Sequence, residues 1–132
     1  MRYLLDTHVW IWWYMNPAKL SKKVVTLISD VKNYEALLLS AISPWEFCKL
    51  IEKERLSIKG SPKKWLEDAF DLPKFNLIPL SPMIAYESTN LIQPFHTDPA
   101  DQIIVASALM ENAVIITKDK LLHNYSYVKC LW

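Results

Sequence analysis

RYLLDTHVW, residues 2–10, is the stretch whose reading decides the fold. Tyr3, Leu4 and Leu5 make a short apolar run of strand type, and the run ends on a carboxylate. Burying an unpaired carboxylate costs several kcal/mol. A strand that ends in this way needs a compensating group beside it, so Asp6 points to a functional edge.

Working outward, proline supplies the punctuation. Ser43-Pro44, Ser61-Pro62, Ser81-Pro82 and Asp98-Pro99 each place a capping oxygen before a proline. That pairing reads as an N-cap followed by the first helical residue. It predicts helices over 44–55, 62–70, 82–91 and 99–111. A further helix is expected after Ser21, and a short one over HVWIWWYM, residues 8–15. Between them lie β-type runs at 3–5, 36–40, 76–80, 114–117 and 128–131. These runs are continuously apolar, as in strands covered on both faces. Strand and helix alternate, so the expected class is α/β with a mainly parallel sheet.

The chain has 132 residues, and residues 1–132 read as one ordinary domain. It is 52% hydrophobic, enough for a sizeable core, and its formal net charge is +1. A polybasic nucleic-acid binder is thereby excluded, and any phosphate contact has to be local or carried by metal. A single glycine rules out Gly-rich phosphate loops. Cys48 and Cys130 form no CxxC and no disulfide framework; they read as small buried residues in a reducing, cytoplasmic setting. Asp6 and His8 interrupt the first apolar stretch, which argues against a signal peptide. No apolar run approaches the ~18 residues of a membrane span.

In a parallel α/β sheet, helices start near the carboxyl ends of the preceding strands, and ligands bind at that edge. Asp6 ends the first strand. Glu46 falls in the first turn of the helix after the second. Asp98 and Asp101 open the helix that leads to VIIT, residues 114–117, and Asp119 follows that strand by two residues. Five carboxylates from four places are thus expected at one edge. Each also has a structural reading. SPWE, residues 43–46, fits a capping box with Glu46 at N3; Asp98 and Asp101 suit an N-cap and a first turn; Asp119 suits a turn. Asp6 is hardest to explain this way. Clustered carboxylates repel, and one becomes protonated unless a cation sits among them. Mg²⁺ or Mn²⁺ takes oxygen ligands together with waters and phosphates, and its chemistry with a phosphodiester is hydrolysis. Asp6 therefore reads as a metal ligand. Thr7 and Thr117, at the same edge, are candidates to hold a water or orient a carboxylate.

LLDTHVW, SPWEF, DPADQIIVASAL and VIITKD together resemble the PIN-domain family, and within it the VapC-type toxins of toxin–antitoxin modules. The resemblance covers essentially the whole chain. It implies a three-layer sandwich of helices around a short parallel sheet, and a Mg²⁺- or Mn²⁺-dependent endoribonuclease. It makes Asp6, Glu46 and Asp101 the core catalytic and metal-binding acids, Asp119 a more variable fourth, and Asp98 an extra acidic position. It implies an RNA substrate, a cognate antitoxin that blocks the site, and a homodimer. Gln102 departs from the pattern, which has arginine there.

Other features carry two readings each. The tryptophan-rich segment 8–15 reads as core, with a dimer or antitoxin groove as the alternative and base stacking as a third. KKWLEDAF, residues 63–70, is an amphipathic helix, either solvated or lining the same groove. The basic residues Lys49, Lys53, Arg55, Lys59, Lys63 and Lys64 read as a solvated face or as a phosphate-attracting one. His8, His96 and His123 lack metal spacing, although His8 and His96 lie near the acidic edge. The rival functions are a PIN-type RNA-processing nuclease without an antitoxin, a silent RNA- or protein-binding module, and a phosphotransferase of the haloacid dehalogenase type. The last needs a second Asp two residues after Asp6, where this chain has His8.

Overall fold

The computed structural model describes residues 1–71 and 74–132. Five strands lie among the described residues: β1 (Tyr3–Leu5), β2 (Leu37–Ser40), β3 (Asn76–Ile78), β4 (Val114–Ile116) and β5 (Cys130–Leu131). They form one sheet in the order β3-β2-β1-β4-β5, and every pairing is parallel. The helices are α1 (Thr7–Met15), α2 (Lys22–Asp30), α3 (Ile42–Glu52), α4 (Pro62–Asp71), α5 (Pro82–Ser88), α6 (Pro99–Met110) and α7 (Lys120–His123). The α/β class and the parallel sheet are as the sequence predicts.

Register explains why the strands are continuously apolar. Leu4 pairs with Leu38 and Ile115, and Leu5 pairs with Leu39 and Ile116. Successive side chains in a strand point to opposite faces, so these rows serve different cores. Leu4, Leu38 and Ile115 pack with Ile84, Ile104 and Leu122, under α5, α6 and α7. Leu5, Leu39 and Ile116 pack with Val9, Trp10, Val24 and Phe47, under α1, α2 and α3. The result is three layers with the sheet in the middle.

The tryptophan-rich helix divides its duties. Trp10 is fully buried, its ring edge-on to Phe47, Trp65 and Phe75. Its indole Nε1 finds no hydrogen-bond partner among the described residues, which costs about 1–3 kcal/mol. Burial of so large a ring contributes roughly 4–6 kcal/mol, so the apolar term wins. Trp12 and Trp13 are only partly buried against the same core. Trp65 stacks on Phe47 at a centroid distance of 4.3 Å, which fastens α4 to the core. The amphipathic helix is therefore docked rather than merely solvated.

Several local expectations shift. Ser43 is not an N-cap: α3 begins at Ile42, capped by Ala41, and Ser43 lies fully buried in its first turn. The Ser43 hydroxyl is engaged by Thr7 instead, as described below. Helix α5 stops at Ser88 rather than 91, and Asp119 opens a one-turn helix, α7, that the sequence pattern did not suggest. Strand β3 ends before Pro79, whose nitrogen has no hydrogen to donate. Cys48 is exposed on α3 and Cys130 half-buried on β5, so neither is the buried residue expected; both thiols are free. No described helix is long and apolar enough to cross a membrane.

The strand order positions the site. The chain moves outward from β1 to β2 to β3, then returns to the other side of β1 for β4 and β5. The direction changes between β1 and β4, and the crevice beyond the carboxyl ends of such strands is where α/β sheets bind ligands. Asp6 follows β1, and Thr117 and Asp119 follow β4. The Asp6 amide donates to the Ile116 carbonyl at 3.0 Å, closing the two strand ends together.

With one glycine in the chain, helix C-termini use other residues in the left-handed conformation. Asn112 (φ 50°) ends α6 and Glu54 (φ 57°) ends α3. At the end of α3 the Glu54 amide donates to Ile51 O at 3.0 Å and the Arg55 amide to Leu50 O at 2.8 Å, a Schellman motif. Asparagine tolerates this conformation, whereas glutamate pays about 1 kcal/mol for it. Glu54→Gly is expected to stabilise the chain by up to about 1 kcal/mol, and Glu54→Val to destabilise it by at least about as much. Urea unfolding of the two variants checks this; equal stabilities would contradict the assignment.

Candidate active site

Asp6 is the best-anchored carboxylate. It is 5% exposed, and Oδ1 accepts a hydrogen bond from the Thr7 amide at 2.8 Å. Oδ2 accepts one from the Thr117 hydroxyl at 2.7 Å, from the far side of the crevice. His8 Nδ1 lies 3.4 Å from the same Oδ2. His8 Nε2 accepts from the Lys118 amide at 3.2 Å. With Nε2 accepting, the ring's proton sits on Nδ1 and faces Asp6.

Glu46 lies on α3 just past its first turn rather than within it, because the helix begins at Ile42. The Thr7 hydroxyl donates to Glu46 Oε1 at 2.5 Å and lies 2.8 Å from the Ser43 hydroxyl. The capping-box reading of SPWE therefore fails: Glu46 reaches across to α1 rather than back along its own helix. Thr7 and Thr117 each orient one carboxylate, the role that their position at this edge suggested.

Asp98 does cap α6, its Oδ1 accepting from the amides of Ala100 at 3.0 Å and Asp101 at 3.2 Å. Asp101, one turn in, stands 3.2 Å from His96 Nε2, at ion-pair distance but without hydrogen-bond alignment. His96 Nδ1 lies 3.4 Å from the Asp98 amide that donates to it. Gln102 donates through Nε2 to the His96 carbonyl at 3.1 Å. It steadies the backbone that carries His96. Asp119 caps α7, accepting from the Leu121 amide at 2.9 Å, while its own amide donates to the Thr117 hydroxyl at 3.0 Å. The sequence alone left His8 and His96 as neighbours of the edge; the fold pairs each with an acid.

The five acids share one electrostatic field. Burial pushes the Asp101 carboxyl up to about 8, and the charges of Asp6, Asp98, Asp119 and Glu46 add to the effect. Burial likewise pushes Glu46 up to about 7, with Asp6 and Asp98 adding and the Thr7 hydrogen bond opposing. Even the Cys130 thiol, on β5, is raised to about 11, by burial first and then by Asp6 and Asp119. Burial lowers the pKa of His8, while Asp6 and Asp119 pull it the other way.

Convergence is not coordination. Among the described residues, no three side chains of His, Cys, Asp or Glu are gathered closely enough to hold a metal ion by themselves. The physical reason is in the bonds above. Asp6 and Glu46 turn oxygens toward Thr117 and Thr7, and Asp98 and Asp119 turn theirs toward helix amides. The donor set nevertheless suits a hard divalent cation: it is all oxygen, it is anionic, and two of its members are driven toward protonation where no cation relieves them.

Comparison with known proteins follows the same lines. Residues 3–126 match the family model described as PIN domain. The chain is 29% identical over 124 residues to "Ribonuclease VapC22" of Mycobacterium tuberculosis (strain ATCC 25618 / H37Rv), covering 94% of this chain and 92% of that one. Among solved structures it resembles VapBC-1 from nontypeable Haemophilus influenzae, with a TM-score of 0.71, 20% identity and 99% and 97% of the two chains covered. It also resembles a toxin–antitoxin complex from Klebsiella pneumoniae, with a TM-score of 0.65, 20% identity and 96% and 94% covered. At such identities these structures speak for the fold alone. The family model spans nearly the whole chain, from β1 through the residues that follow α7, and the chain belongs to the PIN domain family.

Proposed function

We propose that this chain is a divalent-metal-dependent endoribonuclease that hydrolyses RNA phosphodiester bonds, and that it is the toxin of a toxin–antitoxin pair. The observation that carries the nuclease reading is the half-buried cluster of five carboxylates at the β1/β4 switch point, where burial first, and the neighbouring acids after it, raise Asp101 to about 8 and Glu46 to about 7. Such a cluster has no structural use, since unrelieved repulsion only destabilises the fold. The relationship to a ribonuclease supports RNA as substrate, and the likeness to toxin–antitoxin complexes supports an antitoxin as partner. A homodimer follows from the same family resemblance.

In this reading Asp6, Glu46, Asp101 and Asp119 hold Mg²⁺ or Mn²⁺, some directly and some through waters, with Asp98 adding charge from the helix cap. The ion, when bound, supplies neutralisation of the phosphate and polarisation of a water. The chain's own residues do the positioning. Thr117 fixes Asp6, and Thr7 fixes Glu46. His8 and His96 stand beside Asp6 and Asp101, each within reach of a phosphate oxygen that approaches those carboxylates. Such orienting partners matter because a small displacement of a catalytic oxygen costs rate steeply.

Asp101→Asn and Glu46→Gln should each lower Mg²⁺-dependent cleavage of a single-stranded RNA by on the order of 100-fold or more, with unchanged circular dichroism. Asp98→Asn should do much less, because asparagine caps a helix as well. Retention of near-full cleavage by both Asp101→Asn and Glu46→Gln would refute the assignment.

The same groups set a pH dependence of stability. Asp101 and Glu46 keep their protons in the folded chain up to about pH 8 and about pH 7, whereas in the unfolded chain they lose them at ordinary carboxyl values. Between those limits the folded chain binds more protons, so stability falls as pH rises. The metal-free chain should therefore melt lower at about pH 8 than at about pH 5.5, and millimolar Mg²⁺ should raise the midpoint more at the higher pH. A Mg²⁺ effect that is equal at both pH values would count against a carboxylate metal site.

A further inference from the structure

Beside the acids, on the α3 side, lies a cleft of about 260 Å³. Glu46 and Asp98, the outer carboxylates of the site, line it together with Trp45, Lys49, Lys53 and Arg55. Along α3 the charge changes sign, from acid at Glu46 to base at Lys49 and Lys53. The volume falls just under the roughly 300 Å³ at which clefts begin to hold whole small ligands. It suits one segment of a longer molecule that continues into the crevice.

The basic part of the lining is built for an anion. Lys49 is partly engaged, with Nζ 3.0 Å from Glu52 and 5.6 Å from the Trp45 ring centroid. Lys53 and Arg55 make no ion pair among the described residues, whereas Lys64, in the same basic run, pairs with Asp68 at 2.9 Å. The backbone is also committed here. The left-handed Glu54 ends α3 and turns the chain so that Arg55 lines the cleft after the helix has stopped. Trp45 is 52% exposed. A tryptophan so placed, beside Lys49 and at the mouth of a cleft, offers a flat surface that an unstacked base can cover.

We propose that this cleft is a substrate subsite that takes one unpaired base on Trp45 and its phosphate on Lys53 and Arg55, next to the nucleotide whose phosphodiester lies at the carboxylates. The proposal rests on the ribonuclease reading and adds to it a preference for single-stranded RNA, because a base inside a duplex is stacked and cannot reach Trp45. Divided charge is the feature that favours a nucleic acid over an acidic protein segment. A strand of phosphates meets cations at Lys53 and Arg55 and needs a bridging cation at the acids, so it matches both signs of charge in the lining.

The test uses the full chain. On an Asp101→Asn background, which blocks cleavage, binding of a short fluorescent mixed-sequence oligoribonucleotide is followed by anisotropy in Mg²⁺ over a range of salt. Trp45→Ala should weaken binding by about tenfold. Lys53→Gln/Arg55→Gln should reduce the slope of log K against log salt by about 1.4, the value for two lost single-strand phosphate contacts. Trp45→Ala should leave binding of the corresponding RNA duplex unchanged. With the acids intact, Trp45→Ala should raise KM and spare kcat. All four residues are on the surface or partly so, and thermal melts confirm that the variants fold. If the intact chain cleaves RNA while the variants match it in affinity and salt slope, the subsite is overturned and the nuclease reading stands. If the intact chain neither binds nor cleaves RNA, both fall. Variants that keep RNA affinity but lose affinity for an acidic peptide would make the cleft a protein groove and overturn the proposal.

Discussion

Crowding of carboxylates at the β1/β4 strand ends is the constraint on which the rest of the site depends. Burial disfavours the charged form of a carboxyl and like charges beside it repel, and here both effects are left standing: Asp101 and Glu46 rise toward neutral pH rather than finding lysine or arginine partners. Lysines and arginines are present in number, yet none stands as an ion-pair partner to these two acids among the described residues; Asp101 has His96 beside it and Glu46 has Thr7. A fold that spends stability in this way leaves a standing attraction for a small, hard, positively charged species.

Neutral hydrogen-bond donors manage that crowding. Thr117 reaches Asp6 from β4, and Thr7 reaches Glu46 from α1. A hydroxyl can hold a carboxylate in place without cancelling its charge, which a lysine would do. The two threonines also tie the ends of β1 and β4 to α1 and α3, since Thr7 contacts Ser43 in α3 as well. Their burial, at 5% and 0% exposure, keeps water from competing for those bonds. The site's rigidity thus comes from the same bonds that join β1, β4, α1 and α3.

Trp10 and Trp45 serve different ends. Around Trp10, rings from α1, α3 and α4 interlock and fasten one helical layer to the sheet. Trp45 is the opposite case: an α3 residue one position before Glu46 that is turned outward beside Lys49. Both residues line the same cleft, and only Glu46 is bonded by Thr7.

Much of this was legible in the chain itself. Continuous apolar runs at Leu4–Leu5, Leu37–Leu39 and Ile115–Ile116 announce strands buried on both faces, and Ser-Pro and Asp-Pro pairs mark three of the helix starts. Parallel topology then sends Asp6, Glu46, Asp98, Asp101 and Asp119 to one edge, since helices begin where strands end. That much depends on local propensity and on chain direction, both of which are written in sequence. What only the tertiary structure decided depends on contacts between residues far apart. The engagement of Ser43 by Thr7, 36 positions away, removes it from a capping role. The pairing of Asp6 with Thr117, 111 positions away, sets the carboxylate's direction. The extent of the charge field, and the fact that no three of these side chains meet closely among the described residues, follow from distances of a few ångströms that no spacing in the chain encodes. Sequence determined which groups arrive at the edge; through-space packing and repulsion decided how they face one another.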